Sequence, residues 1–227
     1  EAWEQLAQLI AADAERTDDD AEKVVLFRQA AEIHANERED HGTAAELLEH
    51  ALELQPDDRD LMLSLCDEFT ASGRSKEALE VLERVVESYG GRRSKDLGDI
   101  HMRIAAAHLA DGEEEEALAD LESARKMDPG SIKVLHQLGQ LSIRLAEKAE
   151  GDARAAHTKR AANSFRSLLL QKLDDSSPIS KAQVFLYLAQ VNLLEDDKKK
   201  AIQMLERALA NDKGLDEAKA MLDELKG

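Results

Sequence analysis

The apolar positions of the chain follow a helical period from one segment to the next. In EALADLESARKMDPG (116–130), Ala117, Leu121 and Ala124 stand at i, i+4 and i+7, so the three share one stripe of a helix that Asp128 and Pro129 bring to an end. The same spacing recurs in AAELLEHALELQPDD (44–58), EALEVLERVVESYGG (77–91) and KAIQMLERALANDKG (200–214), and in the more divergent RAANSFRSLLLQKLDD (160–175). The stripes are Ala44, Leu48, Ala51; Ala78, Leu82, Val85; Ala161, Phe165, Leu168; and Ala201, Leu205, Ala208. An alanine at the head of every stripe suits close approach by a second helix.

A different amphipathic segment precedes each copy: VVLFRQAAEIHANERE, DLMLSLCDEFTASG, DIHMRIAAAHLADG, IKVLHQLGQLSIRLAEKAE and AQVFLYLAQVNLLEDD. Each carries a large-then-small doublet, Leu65-Cys66, Ile104-Ala105, Leu138-Gly139 and Leu188-Ala189, with Ala31-Glu32 a degenerate first member. The small partner lets the two helices of a pair pack closely. Helix starts are expected at Thr43, as a capping box with Glu46, and at Ser75 and Ser131, as N-caps. Asp57, Asp58 and the run Glu113 to Glu116 place negative charge where a helix dipole favours it.

A period near 34 residues, two helices per unit and a closing proline are the signature of the tetratricopeptide repeat, and the chain resembles that family over nearly its whole length. The match rests on Leu65, Phe69, Gly73, Ala78, Leu82 and Val85 in one unit, and on Ile104, Ala105, Gly112, Ala117, Leu121, Ala124 and Pro129 in the next. Pro56 and Pro129 close two units in register, and the aromatic usual near the start of the first helix survives as Phe185. The resemblance implies an all-α fold, a right-handed α-solenoid of stacked antiparallel helix pairs, of the degenerate bacterial type. One domain over 1–227 is expected, with a partial repeat and linker at 1–24, repeats at about 25–58, 59–92, 98–131, 132–177 and 182–215, and a capping helix at 216–227. The N-terminal segment, with Trp3, Leu6, Leu9 and Ile10 on one face, reads as the second helix of a unit whose first helix is missing, so a longer protein is expected. GGRRSKDLG (90–98) and RLAEKAEGDARAAHTKRAAN (144–163) interrupt the period, the second lengthening one hairpin and carrying Lys148, Arg154, His157, Lys159 and Arg160 towards its tip.

Composition narrows the chemistry. Aromatics are 3% of residues, so the core must be built from Ala, Leu, Ile and Val. The net charge is −18 from 30 basic and 48 acidic residues, which disfavours nucleic acid and anionic lipid as partners. No apolar run reaches the roughly 20 residues of a membrane span, so no membrane insertion is expected, and the compartment is not readable. Cys66, the single cysteine, lies on an apolar face and reads as a small hydrophobe. No two of His34, His41, His50, His101, His108, His136 and His157 have the i, i+4 spacing of a helical zinc site, and no Cys-x-x-Cys pair, nucleophile elbow or phosphate-cradling loop is present. Neither cofactor, metal site nor catalytic residue is expected.

What the resemblance implies instead is recognition. In this family the first helix of each unit lines an inner groove that binds a peptide or partner segment. Carried over unit by unit, the later groove positions are Met102, Arg103, Lys133, His136, Gln137, Gln140, Arg144, Gln183, Leu186, Tyr187 and Gln190. Cations and amides on one strip suit an acidic or C-terminal peptide segment, since Arg clasps a carboxylate and Gln pairs with a peptide backbone. The Lys–Asn carboxylate clamp of chaperone-binding members is not matched, Gln29 and Ile33 standing at its first-unit positions. A non-catalytic interaction scaffold is the leading expectation. A substrate-recognition region of a larger enzyme, such as an O-linked N-acetylglucosamine transferase-like protein, and an architectural part of an envelope or motility assembly are the alternatives.

Overall fold

A computed structural model of the chain describes residues 2–227; Glu1, the first residue of the amphipathic N-terminal segment, lies outside the described residues. Among these are twelve α-helices and no strand: α1 (Ala2–Arg16), α2 (Asp20–Arg38), α3 (His41–Leu54), α4 (Arg59–Ala71), α5 (Ser75–Ser88), α6 (Lys95–Ala110), α7 (Glu114–Met127), α8 (Ile132–Lys148), α9 (Gly151–Leu168), α10 (Lys181–Leu194), α11 (Lys198–Asn211) and α12 (Asp216–Lys226). They form two compact units, one ending at Ala117 and the other running from Leu118 to Gly227, so the boundary falls inside α7. In the first unit α1 packs on α2, α2 pairs with α3, α4 pairs with α5, and α6 packs on both α4 and α5. In the second, α8 pairs with α9 and α10 with α11; α10 packs on α8 and α9, and α12 closes on α11. Each unit is a stretch of α-solenoid.

The stripes read from sequence are the core. Ala44, Ala78, Ala117, Ala161 and Ala201 are wholly buried, as are or nearly are their partners at i+4 and i+7. The small doublet members Ala31, Cys66, Ala105 and Ala189 are buried as well. In the degenerate first doublet the buried pair is Ala30-Ala31, one position earlier than read, and Glu32 is exposed. At α8 the small member is Gly139, and a Cβ placed there would lie 2.5–2.9 Å from three ring carbons of Phe165. Phe165 is fully buried and sits in the heart of the second unit with Leu135, Leu168, Val184, Leu188 and Leu205. The bare backbone of Gly139 is what admits that ring.

Hairpin turns repeat too. Gly73 (φ 81°) and Gly112 (φ 79°) adopt the left-handed conformation that ends α4 and α6, and the following amide reaches back to the helix: Arg74 N to Phe69 O at 2.7 Å, Glu113 N to His108 O at 2.8 Å. Asp196 (φ 58°) fills the same role after α10, with Asp197 N donating to Asn192 O at 2.8 Å. Asp tolerates this conformation better than most non-glycine residues.

Two expected caps are placed differently. The α3 N-cap is Asp40, whose Oδ1 accepts from Thr43 N at 3.2 Å; the helix already contains Thr43, so Thr43 and Glu46 form no capping box. Ser75 is the first helical residue of α5 and is buried, while Arg74 holds the cap position. Ser131 and Asp58 cap α8 and α4, as their side chains allow. The long hairpin at 144–163 is built from α8 and α9, of 17 and 18 residues against 14 for α3, α5 and α11. Two of its cations are engaged in structure: Arg154 Nε donates to Ala149 O at 2.9 Å, closing the end of α8, and Arg160 Nε donates to Glu122 Oε1 of α7 at 3.0 Å.

At the two ends the apolar faces fare differently. Leu215, Leu222 and Leu225 of the C-terminal segment pack on the second-unit core, whereas Trp3, Leu6 and Leu9 of α1 stay 39–57% exposed and Ala7 and Ala14 are the buried residues. Gly139→Ala should destabilise the protein by about 1–3 kcal/mol through displacement of Phe165, since the core is closely packed. A lower urea midpoint at unchanged denaturant slope is expected; an unchanged midpoint would show that the ring relaxes without cost.

Candidate functional site

The expected groove residues divide between the units. Nine belong to α8 and α10 of the second; Met102 and Arg103 belong to α6 of the first. On α8, Lys133, His136, Gln137, Gln140 and Arg144 follow the helical spacing and form one stripe, because the opposite face is committed to the core through Leu135, Leu138, Leu141 and Leu145. Lys133, Gln137, Gln140 and Arg144 are exposed, and His136 is half-buried.

Tyr187 of α10 joins this stripe to the interior. Its hydroxyl accepts a hydrogen bond from Gln140 Nε2 at 2.8 Å. Its ring stacks on Phe165, centroids 4.8 Å apart and planes within 9°, and the His136 ring lies 5.9 Å away at a tilt. Phe165 in turn rests on Gly139. The polar patch therefore has an aromatic floor held by the tightest helix contact of the unit. His136 Nε2 is buried and has no hydrogen-bond partner among the described residues, and burial holds the imidazole below its ordinary pKa of 6.5. The ring is neutral at neutral pH.

Four of the expected residues are placed for other work. Leu186 is 3% exposed and belongs to the core, because it sits one position off the stripe of Gln183, Tyr187 and Gln190. Gln183 closes a capping box on α10: its Oε1 accepts from Ser180 N at 2.8 Å, and its own amide donates to Ser180 Oγ at 3.2 Å. The signal, Ser followed three residues later by Gln, is present in the sequence. Gln190 Nε2 donates to Glu217 Oε1 of α12 at 3.2 Å. In the first unit, Arg103 is not an open carboxylate clamp: its Nε and Nη2 grip both oxygens of Asp67 on α4, at 2.9 and 3.0 Å. The two residues stand about one repeat apart, a spacing from which the pair could have been read. Met102 beside it is half-buried.

The patch that remains, Lys133, His136, Gln137, Gln140, Arg144 and Tyr187, offers hydrogen-bond donors, amide acceptors, positive charge and one fixed ring. That is equipment for binding. Among the described residues no three His, Cys, Asp or Glu side chains gather as a metal site requires. Cys66 is buried, its thiol pushed up to about 12 by desolvation, and it is not a nucleophile. No helix among the described residues is long and apolar enough to cross a membrane.

Residues 35–97 match the sequence model of the tetratricopeptide repeat. Comparison with the sequences of characterised proteins finds no match. Among solved structures the chain is similar to PilW, a widely conserved type IV pilus biogenesis factor, at 14% identity and a TM-score of 0.62, over 96% of this chain and 99% of that one. It is similar to YrrB, a tetratricopeptide-repeat protein with an unusual peptide-binding site, at 17% identity and 0.59, over 95% and 98%. TTC0263, a thermophilic tetratricopeptide-repeat protein of Thermus thermophilus, aligns at 17% identity and 0.52, over 89% and 98%. Residues 35–97 therefore belong to the tetratricopeptide-repeat family, and the helix pairs on either side of them have its fold.

Proposed function

We propose that the chain is a non-catalytic interaction scaffold that binds an extended segment of a partner protein on the α8–α10 surface. The observation that carries this reading is Tyr187, stacked on Phe165 and hydrogen-bonded by Gln140, with further amides and cations along the same stripe. A ring fixed before binding loses little conformational freedom on contact, so its apolar area contributes to affinity. The amide of Gln137 can pair with a peptide backbone, and Lys133 favours a carboxylate on the same segment. YrrB, with its peptide-binding site, shares the fold, which supports the reading.

Because burial keeps His136 neutral, it adds no charge to the surface at neutral pH, and acid alters that. Its folded pKa lies below 6.5, so the unfolded chain takes up the proton first and folding stability falls as pH drops below about 6.5, levelling once the folded value is passed. In His136→Gln that part of the pH dependence should vanish, as judged by the difference in urea midpoints between pH 7 and pH 5. An equal difference in both proteins would place the titration elsewhere.

The binding surface is tested by the double variant Lys133→Glu, Gln137→Glu. Both side chains are exposed, so thermal melting should not change while partners captured from a cell lysate by the immobilised native chain are lost. Capture of the same partners by both proteins would remove the α8 stripe from recognition.

A further inference from the structure

A second surface, in the first unit, has the form of a binding groove. Helices α3 and α5 flank α4 and leave a channel with two lobes. The first, of about 400 Å³, has Leu65 and Phe69 of α4 as its floor and Glu49, Glu53, Glu77 and Glu80 as its walls. The second, of about 490 Å³, has Met62 and Val85 as apolar lining, with Arg59, Arg84 and Asp57 at its sides. Val81 and Arg84 line both, so the lobes are continuous. Sizes in this range are typical of binding pockets, and here the apolar floor is ringed by charged side chains.

The charge balance changes along this channel: four glutamates against Arg84 at one end, and Arg59 and Arg84 against Asp57 at the other. The chain itself shows what the acidic end recognises: the Arg74 guanidinium lies 4.1 Å over the Phe69 ring and is shared by Glu49 and Glu77, at 3.2 and 2.6 Å. Glu53 and Glu80 extend the same wall and are exposed. At the other end, Arg59 is laid on the Tyr89 ring at 4.4 Å, and no ion pair with Arg84 is present among the described residues. Asp57 lines this lobe without an ion pair to either arginine, so two guanidinium groups face it against one carboxylate, a surplus that suits an external carboxylate.

We propose that the α3–α5 channel is a second docking surface, for a partner segment whose apolar side chains enter the two lobes, with a basic residue at the glutamate end and an acidic residue clasped by Arg59 and Arg84. It lies in a different unit from the α8–α10 surface and shares no residue with it. The probe is a short fluorescein-labelled peptide with leucines at its centre, lysines at one end and glutamates at the other, read by fluorescence anisotropy. Companion peptides carry only lysines or only glutamates. Saturable binding of the mixed peptide, stronger than that of either companion, is expected. Arg59→Glu, Arg84→Glu should weaken it at least about tenfold, and a peptide with lysines in place of its glutamates should recover the loss. That rescue excludes misfolding as the cause. Lys133→Glu, Gln137→Glu should leave the affinity unchanged, which separates this surface from the α8–α10 reading. Equal binding of the all-lysine peptide to the native chain would reduce the effect to general attraction by an acidic protein and overturn the proposal, as would an undiminished affinity in the arginine variant.

Discussion

How near two helix backbones can come is set, in this chain, by the few small side chains at their crossing. An alanine heads each stripe on the second helix of a pair, and a buried alanine, cysteine or glycine stands on the first. With aromatics so scarce, the cores cannot fill a wide gap with large rings, so proximity has to supply the dispersion contacts that bulk would otherwise give. Where one large ring is used, at Phe165, the facing residue shrinks to glycine in compensation. Burying that ring contributes roughly 1.5–3 kcal/mol, a share of stability that depends on one missing methyl group opposite.

The acidic surplus is managed by placing cations as struts between helices. Arg103 ties α6 to α4 through Asp67, Arg160 ties α9 to α7 through Glu122, and Lys226 ties α12 to α11 through Glu206 at 2.8 Å. Each such exposed pair adds little free energy, about 0–1 kcal/mol. Their effect is on which cations remain available. Arg103, read from sequence as a ligand, already grips a carboxylate, and cations without an ion pair, such as Lys133 and Arg84, acquire significance by contrast.

This explains which parts of the molecule were legible. The stripes Ala-Leu-Ala and the doublets Leu138-Gly139 and Leu188-Ala189 express a geometric demand that any stack of helices must meet, and so they appear in the residues themselves. Burial at a helix face is likewise periodic, and the departures are local: Leu186 is one residue out of phase with the groove stripe, the first doublet is shifted by one, and α1 buries Ala7 and Ala14 rather than its large apolar residues. Caps and ion pairs depend instead on where a helix actually starts and on what stands across the gap. Thr43 and Asp40 are both able N-caps, and the choice between them is made by where α3 begins. Gln183 has the chemistry of a ligand and of a capping residue, and Ser180 three positions before it decides for the cap. Arg103 and Asp67 could be paired only by knowing that one repeat superposes them across adjacent helices.

The same reasoning ties recognition to stability in the second unit. Tyr187 can serve as a contact surface because Phe165 holds it, and Phe165 is held because Gly139 lets α9 come close to α8. A larger residue at 139 would move the ring on which the patch stands without touching any residue in it. An exposed side chain on a loosely packed helix would have to be ordered on binding, at roughly 0.5–1.5 kcal/mol for each rotamer-rich group. Here the ordering is done by the fold, and the doublet that reads in sequence as a packing device also sets the rigidity of the surface above it.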